Sequence, residues 1–181
     1  MHGTPSPSPW VLRWAHLIAP QSQVLDLACG AGRHMRHLTS LGHTVLGVDR
    51  SEEALKDASA WGQTLQADIE NDPWPLAGRQ FGAVVVTNYL WRALWPHIAL
   101  SVQPGGVLLF ETFAQGNETV GKPSRPDFLL APGELLQVAA QNGLRVLAYE
   151  DGFMSDPDRF VQRLAAVRET ASSHPVRWPL A

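Results

Sequence analysis

The sequence is poor in cysteine, in long apolar runs and in surplus charge, and each shortage excludes a class of protein. Among 181 residues Cys29 is the one cysteine, so a disulfide framework is impossible and a reducing, cytoplasmic location is expected. No apolar stretch approaches the roughly 20 residues that span a bilayer, and the N-terminus has no signal-peptide core, so no membrane association is expected. The formal net charge of -3 argues against a nucleic-acid ligand.

The composition and length predict a single globular domain. Hydrophobic residues make up 45% of the chain and charged residues 17%, which is too apolar for a disordered protein. Residues 1–8 are rich in proline and serine and are predicted to be a flexible leader. Residues 170–181 are polar, contain proline and are predicted to be a loose tail. The domain therefore covers residues 9–169, without internal repeats.

Strand and helix patterns alternate along this domain. Short apolar runs bounded by turn residues predict seven strands, at 23–28, 44–48, 61–67, 81–87, 107–110, 144–149 and 160–167. Apolar residues with helical spacing predict helices at 9–18, 32–41, 90–102 and 132–142, and Ser51 offers the N-cap of another. The alternation predicts an α/β fold: a doubly wound, mostly parallel, seven-stranded Rossmann-like sheet with helices on both faces.

The most informative segment is 24–33, Val-Leu-Asp-Leu-Ala-Cys-Gly-Ala-Gly-Arg, which puts a glycine turn between a buried strand and a helix. Ligands bind at such turns in open α/β sheets, and Gly30 and Gly32 let the backbone approach a small molecule closely. Asp26 just before the turn suits a cationic group and would repel a pyrophosphate. Met35 stands where the dinucleotide fingerprint needs a third glycine. The segment therefore disfavours a nicotinamide-dependent oxidoreductase.

Acidic residues also follow the second and third predicted strands. The carboxylate of Asp49 can accept hydrogen bonds from two ribose hydroxyls, and Asp68 is placed to receive an adenine amine. Three acids at three successive strand ends predict a cradle for an adenosyl cofactor. The alternatives are that Asp26 and Asp49 only cap helices and that Asp68 only stabilises a turn. Cys29 is interpreted as a small buried residue rather than a nucleophile.

With these motifs, residues 11 to 169 resemble the class I S-adenosylmethionine-dependent methyltransferases. The resemblance implies that the segment from Asp26 to Arg33 binds the methionine portion of S-adenosylmethionine and that Asp49 holds the ribose. It further implies that Asp68 and Ile69 flank adenine and that Asn88 faces the methyl donor. The predicted cofactor-binding residues are Asp26, Ala28, Cys29, Gly30, Gly32, Arg33, Asp49, Arg50, Asp68, Ile69 and Asn88.

Two segments are predicted to form the substrate side of the cleft. Residues 87–92 follow the most apolar strand, and residues 111–128 have neither helical nor strand periodicity. So long an irregular stretch predicts a lid or substrate-binding loop, with a solvated connector as the alternative. Together with residues 129–136, this stretch resembles small bacterial methyltransferases related to tellurite-resistance proteins. The candidate substrate residues are Tyr89, Trp91, Arg92, Glu111, Asn117 and Lys122, and the candidate catalytic residues are Asn88, Tyr89, Arg92 and Glu111.

The sequence thus predicts a methyltransferase that acts on a small, soft nucleophile such as a thiol or a chalcogen oxyanion, as a monomer or homodimer. Two alternatives remain open: a methyltransferase for a protein or tRNA, and a non-catalytic sensor of S-adenosylmethionine or S-adenosylhomocysteine. No metal is expected, because His34 and His37 have the spacing of a metal pair without a third ligand nearby.

Overall fold

A seven-stranded sheet with the order β3-β2-β1-β4-β5-β7-β6 organises the chain. The computed structural model describes residues 6–171 and 176–180. Strands β1 to β5 are parallel to one another, and β7 runs antiparallel to both of its neighbours. The strands are β1 Gln23–Leu27, β2 Thr44–Asp49, β3 Gln63–Gln66, β4 Phe81–Thr87, β5 Val102–Phe113, β6 Arg145–Met154 and β7 Arg159–Val167. The predicted fold class is confirmed.

Helices cover both faces of this sheet. They are α1 Pro9–Trp14, α2 Arg33–Ser40, α3 Glu52–Ala58, α4 Trp95–Leu100 and α5 Glu134–Gln141. The apolar residues of α1, α2 and α3 pack on one face, and those of α4 and α5 pack on the other. Short 3-10 turns occupy Ala15–Leu17, Arg92–Leu94, Asn117–Thr119 and Pro126–Phe128. Within the described ranges, no helix has the length and apolar character needed to cross a membrane.

Strand β4 lies in the middle of the sheet and is buried along its whole length. Its side chains alternate between the two apolar cores, with Val84 and Val86 in one and Ala83 and Val85 in the other. A parallel strand covered on both faces requires such a continuous apolar run, which explains why this strand was the clearest in the sequence.

The main departures from the predicted elements lie in the second half of the chain. The predicted helix 90–102 is reduced to a 3-10 turn followed by α4, and β5 already begins at Val102. Strand β5 also continues to Phe113, so the predicted loop from residue 111 starts three residues inside a strand. The extension pairs with β7, where Glu111 lies opposite Arg163. Because this partner lies about fifty residues away in sequence, no local pattern signals it.

The chain segments outside the sheet are partly anchored. Ser8, at the end of the predicted leader, is buried and caps α1 by accepting a hydrogen bond from the Trp10 backbone. In the predicted tail, Trp178 is half-buried against the core beneath α1. Both ends of the domain therefore touch the α1 side of the sheet, while residues 1–5, 172–175 and 181 lie outside the described residues.

Candidate active site

The predicted cofactor residues gather where β1, β2 and β4 end. Because β1 lies between β2 and β4, the connections from these strands diverge there, which is the usual ligand-binding position of a doubly wound sheet. Two neighbouring clefts share Ala28 at this edge. The β2–β3 cleft is lined by Asp49, Arg50, Ala67, Asp68, Ile69, Glu70 and Tyr89. The β1–β4 cleft is lined by Cys29, Gly30, Ala31, Arg33, His34, Thr87 and Asn88.

The turn between β1 and α2 has an unusual backbone. Ala28, Gly30 and Gly32 all have positive φ, at 55°, 53° and 79°. A Cβ on Gly30 would meet open space, so this glycine leaves room for a ligand. A Cβ on Gly32 would lie only 3.0 Å from the backbone of Ala58, so this glycine instead permits close packing of α3. The sequence interpretation gave both glycines the same role, and the structure separates them.

Asp26 lies beneath this turn and is 1% exposed. Its Oδ2 atom has no hydrogen-bond partner among the described residues. Burial raises the pKa of this carboxyl to about 7, and the positive charge of Arg33 offsets only part of that rise. An unpartnered, buried carboxylate oxygen next to an open cleft fits a ligand with a cationic group, as the ammonium of S-adenosylmethionine would provide.

His34 is buried beside Asp26 and is held by the N-terminal segment. Its Nε2 atom accepts a hydrogen bond of 3.1 Å from the Ser8 backbone, so the ring proton resides on Nδ1, 4.0 Å from Asp26 Oδ1. Burial lowers the pKa of His34 to about 3, so the ring is neutral at physiological pH. The sequence interpretation considered this histidine only as a metal ligand and missed its place in the cleft wall.

Asp49 connects the glycine turn to the next helix. Its Oδ2 accepts a hydrogen bond of 2.8 Å from the Gly30 backbone, and its Oδ1 accepts one of 2.9 Å from the Ser51 backbone. The carboxylate is half-buried and lines the β2–β3 cleft. Because each oxygen can accept a second hydrogen bond, structural support and ribose binding are compatible at this residue.

Asp68 stabilises the turn that follows β3. Its carboxylate accepts hydrogen bonds from the Glu70 backbone at 3.1 Å and from the Asn71 side chain at 2.9 Å. The Asn71 side chain lowers the pKa of this carboxyl. The turn-forming alternative is therefore present, although the residue also lines the β2–β3 cleft. Tyr89 lines the same cleft, and burial raises the pKa of the Tyr89 hydroxyl.

Arg92 does not face the cleft as a substrate-orienting residue. Its Nε and Nη2 atoms donate to the two carboxylate oxygens of Glu134 at 2.7 and 2.9 Å. It also donates to the backbone carbonyls of Asp127 and Leu129. Arg92 therefore fixes residues 127–134 against the segment after β4. The predicted lid is anchored at this point by a bidentate ion pair between residues 42 positions apart.

Asn117 and Glu111 also have structural partners. Asn117 is 1% exposed, and it donates to the Pro123 carbonyl and accepts from the Phe160 backbone. Glu111 is equally buried within β5; it accepts from the Ser8 hydroxyl at 3.0 Å and from Arg163 at 3.4 Å. Glu111 is thus not on an open loop, and its paired carboxylate is a poor candidate for a general base.

The predicted site residues therefore divide into two groups. All predicted cofactor residues line one of the two clefts except Asp26, which is buried beneath the turn, and Gly32, which packs against α3. Among the predicted substrate residues, Tyr89 lines a cleft. The others lie outside these two clefts: Trp91 and Lys122 are exposed, and Arg92, Glu111 and Asn117 have the partners described above.

Thr87 lies in the predicted substrate segment 87–92 but was not among the predicted site residues, and the structure places it in the wall of the β1–β4 cleft. Arg33 Nη2 donates to the Thr87 hydroxyl at 3.2 Å, which ties the start of α2 to the end of β4. Thr87 is the last residue of an otherwise apolar strand, and this polar end was the available signal.

Comparisons with known proteins agree with this geometry. Residues 24–106 match the family described as "Methyltransferase domain". Comparison with curated protein sequences finds no match. Among solved structures, TehB from Haemophilus influenzae aligns with a TM-score of 0.73 at 22% identity, covering 93% of this chain and 64% of that one. The chain therefore spans just under two thirds of TehB.

Two further structures have the same fold. A TehB-like S-adenosylmethionine-dependent methyltransferase from Corynebacterium glutamicum aligns with a TM-score of 0.66 at 17% identity, covering 88% of this chain and 87% of that one. Magnesium protoporphyrin IX methyltransferase from Synechocystis, with bound S-adenosylhomocysteine, aligns with a TM-score of 0.67 at 21% identity, covering 88% and 79%. The predicted resemblance is confirmed at the level of the fold: the chain has the fold of these S-adenosylmethionine-dependent methyltransferases, and residues 24–106 are similar to the methyltransferase-domain family.

Proposed function

We propose that this protein transfers the methyl group of S-adenosylmethionine to a small, soft nucleophile, such as a thiolate or a chalcogen oxyanion. The observation that carries the proposal is the pair of joined clefts at the ends of β1 to β4, with the unpartnered carboxylate oxygen of Asp26 beneath them. S-adenosylmethionine, when bound, supplies an electrophilic methyl group on a sulfonium centre. A cytoplasmic location belongs to the same proposal and is supported by the single, buried cysteine.

The chain's own residues would hold this cofactor along the strand ends. Asp26 would pair with the ammonium group, and Arg33, half-buried at the start of α2, would pair with the carboxylate. The open space at Gly30 would admit the backbone-facing part of the ligand. Asp49 would accept hydrogen bonds from the ribose hydroxyls, and Asp68 and Ile69 would flank adenine. The role of these residues is orientation and exclusion of water.

The groups around the β1–β4 cleft favour an acceptor that needs no general base. The lone pair of His34 Nε2 is occupied by the Ser8 backbone, and its low pKa makes the ring a weak base. Burial raises the pKa of the Cys29 thiol, and Glu111 is buried in hydrogen bonds and ion pairs. A thiolate or oxyanion already carries the electron pair that attacks the methyl carbon, whereas a neutral hydroxyl or amide would need a base.

The experiment that tests the proposal combines binding and turnover. Calorimetric titration with S-adenosylmethionine and S-adenosylhomocysteine should give micromolar dissociation constants, as is usual for such cofactors. Incubation with S-adenosylmethionine and small thiols should then yield methyl thioethers, detected by mass spectrometry. Well-folded protein that binds neither ligand would exclude the proposal. Binding without turnover of thiols, selenite or amines would favour the sensor instead.

A further inference from the structure

Three arginines lie around the buried carboxylate of Glu111, on the α1 side of the sheet. Arg163 and Arg159 come from β7, at 3.4 and 4.0 Å from the two Glu111 oxygens. Arg33 comes from α2 and is close enough to interact electrostatically with both Glu111 and Arg159. One carboxylate cannot neutralise three guanidinium groups, so the partners of each arginine decide where positive charge remains.

Two of these arginines have assigned partners. Arg163 donates from Nε to Glu150 at 2.7 Å, contacts Glu111, and stacks over the Trp10 ring at 5.0 Å. Its charge is therefore compensated within the fold. Arg33 donates to Thr87 and lines the β1–β4 cleft directly beside the glycine turn, where the cofactor carboxylate is proposed to bind.

Arg159 is the arginine that lacks a close partner. Its side chain is 18% exposed, and its buried Nε atom has no hydrogen-bond partner among the described residues. Its nearest carboxylate oxygen, Glu111 Oε1, is 4.0 Å away and already accepts from Ser8. The residues outside the described ranges contain no acidic side chain that could pair with it. A largely buried guanidinium without a hydrogen-bonded anion is costly, and an anionic ligand would remove that cost.

The topology places Arg159 on the acceptor side of the cleft. Because β7 runs antiparallel to β5, the beginning of β7 lies at the same edge as the end of β5. Arg159 is therefore at the edge where β1 and β4 also end, but two strands beyond β4. The proposed cofactor cradle extends in the opposite direction, from β1 toward β3. A group bound by Arg159 thus belongs to the second reactant rather than to the cofactor.

We propose that Arg159 binds a carboxylate on the methyl acceptor, which makes the acceptor a small thiol acid. A planar guanidinium can donate two parallel hydrogen bonds to one carboxylate, and the exposed part of the Arg159 side chain is where such a ligand would approach. The inference rests on the proposed function. In the reaction, the acceptor thiolate sulfur bonds to the methyl carbon while the methyl–sulfonium bond breaks and its electron pair stays on the sulfonium sulfur. The products are a methyl thioether and S-adenosylhomocysteine, and the thiol proton is lost to water before attack.

The test compares two thiols of similar size, mercaptoacetate and 2-mercaptoethanol, in the wild-type protein and in Arg159→Gln. We expect Arg159→Gln to lower kcat/KM for mercaptoacetate by about 10- to 100-fold, mainly through KM, because a charge-assisted bidentate contact is lost. The kcat/KM for 2-mercaptoethanol and the affinity for S-adenosylmethionine should stay within about twofold of the wild type, because neither ligand is proposed to contact Arg159 through a charged group. Using the mutant-to-wild-type ratio for each thiol cancels their different intrinsic reactivities.

Arg145→Gln is the matched control, since Arg145 is an exposed arginine at the opposite end of β6 that pairs with Glu169. It should leave both thiols unaffected. An equal loss for both thiols in Arg159→Gln would overturn the inference. The inference would also be overturned if methylation of selenite depended on Arg159 and methylation of mercaptoacetate did not, because the site would then hold an inorganic oxyanion.

A binding measurement separates this inference from the proposed function. Methylthioacetate, the expected product, is titrated into protein saturated with S-adenosylhomocysteine. Binding that is lost in Arg159→Gln supports the carboxylate site even if no thiol is methylated, in which case the proposed enzymatic function fails alone. Absence of methylthioacetate binding to the wild-type protein overturns the inference and leaves the methyltransferase proposal standing on turnover of neutral thiols.

Discussion

The two halves of the sheet build their parts of the cleft in different ways. From β1 to β3, the side chains proposed to hold the cofactor lie within a few residues of a strand end, and backbone groups of the strand-end turns hold them, as Gly30 and Ser51 hold Asp49. From β5 to β7, polar side chains are held by partners distant in sequence, as Glu111 is by Ser8 and Arg163. The half proposed to bind the cofactor therefore depends mainly on strand-end turns, and the half proposed to bind the acceptor depends on pairs distant in sequence.

This difference implies that the two halves can be perturbed separately. A change at a strand-end turn should alter cofactor affinity while the rest of the fold stays intact. A change in a long-range pair should alter stability or acceptor use while cofactor affinity stays the same. The predictions below test this separation, beginning with the largest expected effect.

Asp49→Ala should weaken S-adenosylmethionine binding by about 100-fold, because two hydrogen bonds to a charged acceptor are each worth roughly 1.5 kcal/mol or more. Isothermal titration calorimetry measures the change directly. Asp57→Ala, which removes an exposed carboxylate from the neighbouring helix α3, is the control and should bind as the wild type does. Unchanged affinity in Asp49→Ala would show that the β2–β3 cleft does not hold the ribose.

The same contrast explains how much the sequence could predict. Asp26, Gly30 and Asp49 could be placed at the strand-end edge because a buried strand, a turn and a polar residue are adjacent in the sequence. The partners of Glu111 and Arg92 could not be predicted, because Arg163 and Glu134 are 52 and 42 positions away. The sequence shows that residue 111 is a carboxylic acid. Only the register of β5 on β7 shows that Arg163 lies opposite it and pairs with its charge.

The extension of β6 and β7 was missed for a related reason. Strand β6 was expected to end at residue 149 and reaches Met154, with an exposed Phe153 packed on Phe160 near its end. These residues alternate poorly and are largely exposed, so their strand structure comes from cross-strand pairing rather than from a core-facing pattern. Arg159, at the start of β7, could not be placed at this edge of the sheet without that pairing.

In the acceptor half, Arg92→Ala should lower the free energy of unfolding by roughly 1–2 kcal/mol, since it leaves the mostly buried Glu134 carboxylate unpaired. The loss is no larger because the Arg92 side chain is 41% exposed, so solvent already screens the ion pair. Thermal or urea unfolding measures the loss. Arg125→Ala removes the exposed ion pair with Asp127 and should cost less than about 0.5 kcal/mol.

The separation of the halves is tested by titrating S-adenosylmethionine into the same Arg92→Ala protein. Its dissociation constant should stay within about twofold of the wild type, because Arg92 contacts neither cleft. A much larger loss of affinity, at a temperature where the variant is folded, would show that the segment from residue 127 to 134 also controls cofactor binding.

The buried carboxyl of Asp26 predicts a pH dependence confined to the cofactor half. Its pKa is raised to about 7, so the ligand-free protein carries a mostly protonated Asp26 at pH 6 and a mostly ionised one at pH 7.5. An ammonium group binds the ionised form, so affinity for S-adenosylmethionine should rise roughly eightfold to tenfold over this range. At higher pH the rise should end, because an α-amino group itself begins to lose its proton near pH 7.7–8.0.

Asp26→Asn is the variant that identifies the titrating group. Calorimetry between pH 6 and 7.5 should give weaker binding with little pH dependence, since the asparagine cannot ionise. His34 cannot produce the same rise, because its pKa of about 3 keeps it neutral throughout this range. A slope that persists unchanged in Asp26→Asn would assign the pH dependence to another group.

The smallest expected effect concerns the backbone of the glycine turn. Ala28 has a φ of 55°, a conformation that costs an L-residue roughly 1–2 kcal/mol, whereas glycine adopts it freely but loses about 0.5–1 kcal/mol more entropy on folding. Ala28→Gly should therefore raise the free energy of unfolding by up to about 1.5 kcal/mol, which is the largest difference between those two costs. Gly30→Ala makes the opposite change at a φ of 53° and should lower the free energy of unfolding by a similar amount.

Because a Cβ at residue 30 would enter the open cleft, Gly30→Ala should also bind S-adenosylmethionine more weakly, and Ala28→Gly should not. Equal loss of binding in both variants would mean that the shape of the turn, rather than the space above Gly30, determines cofactor affinity.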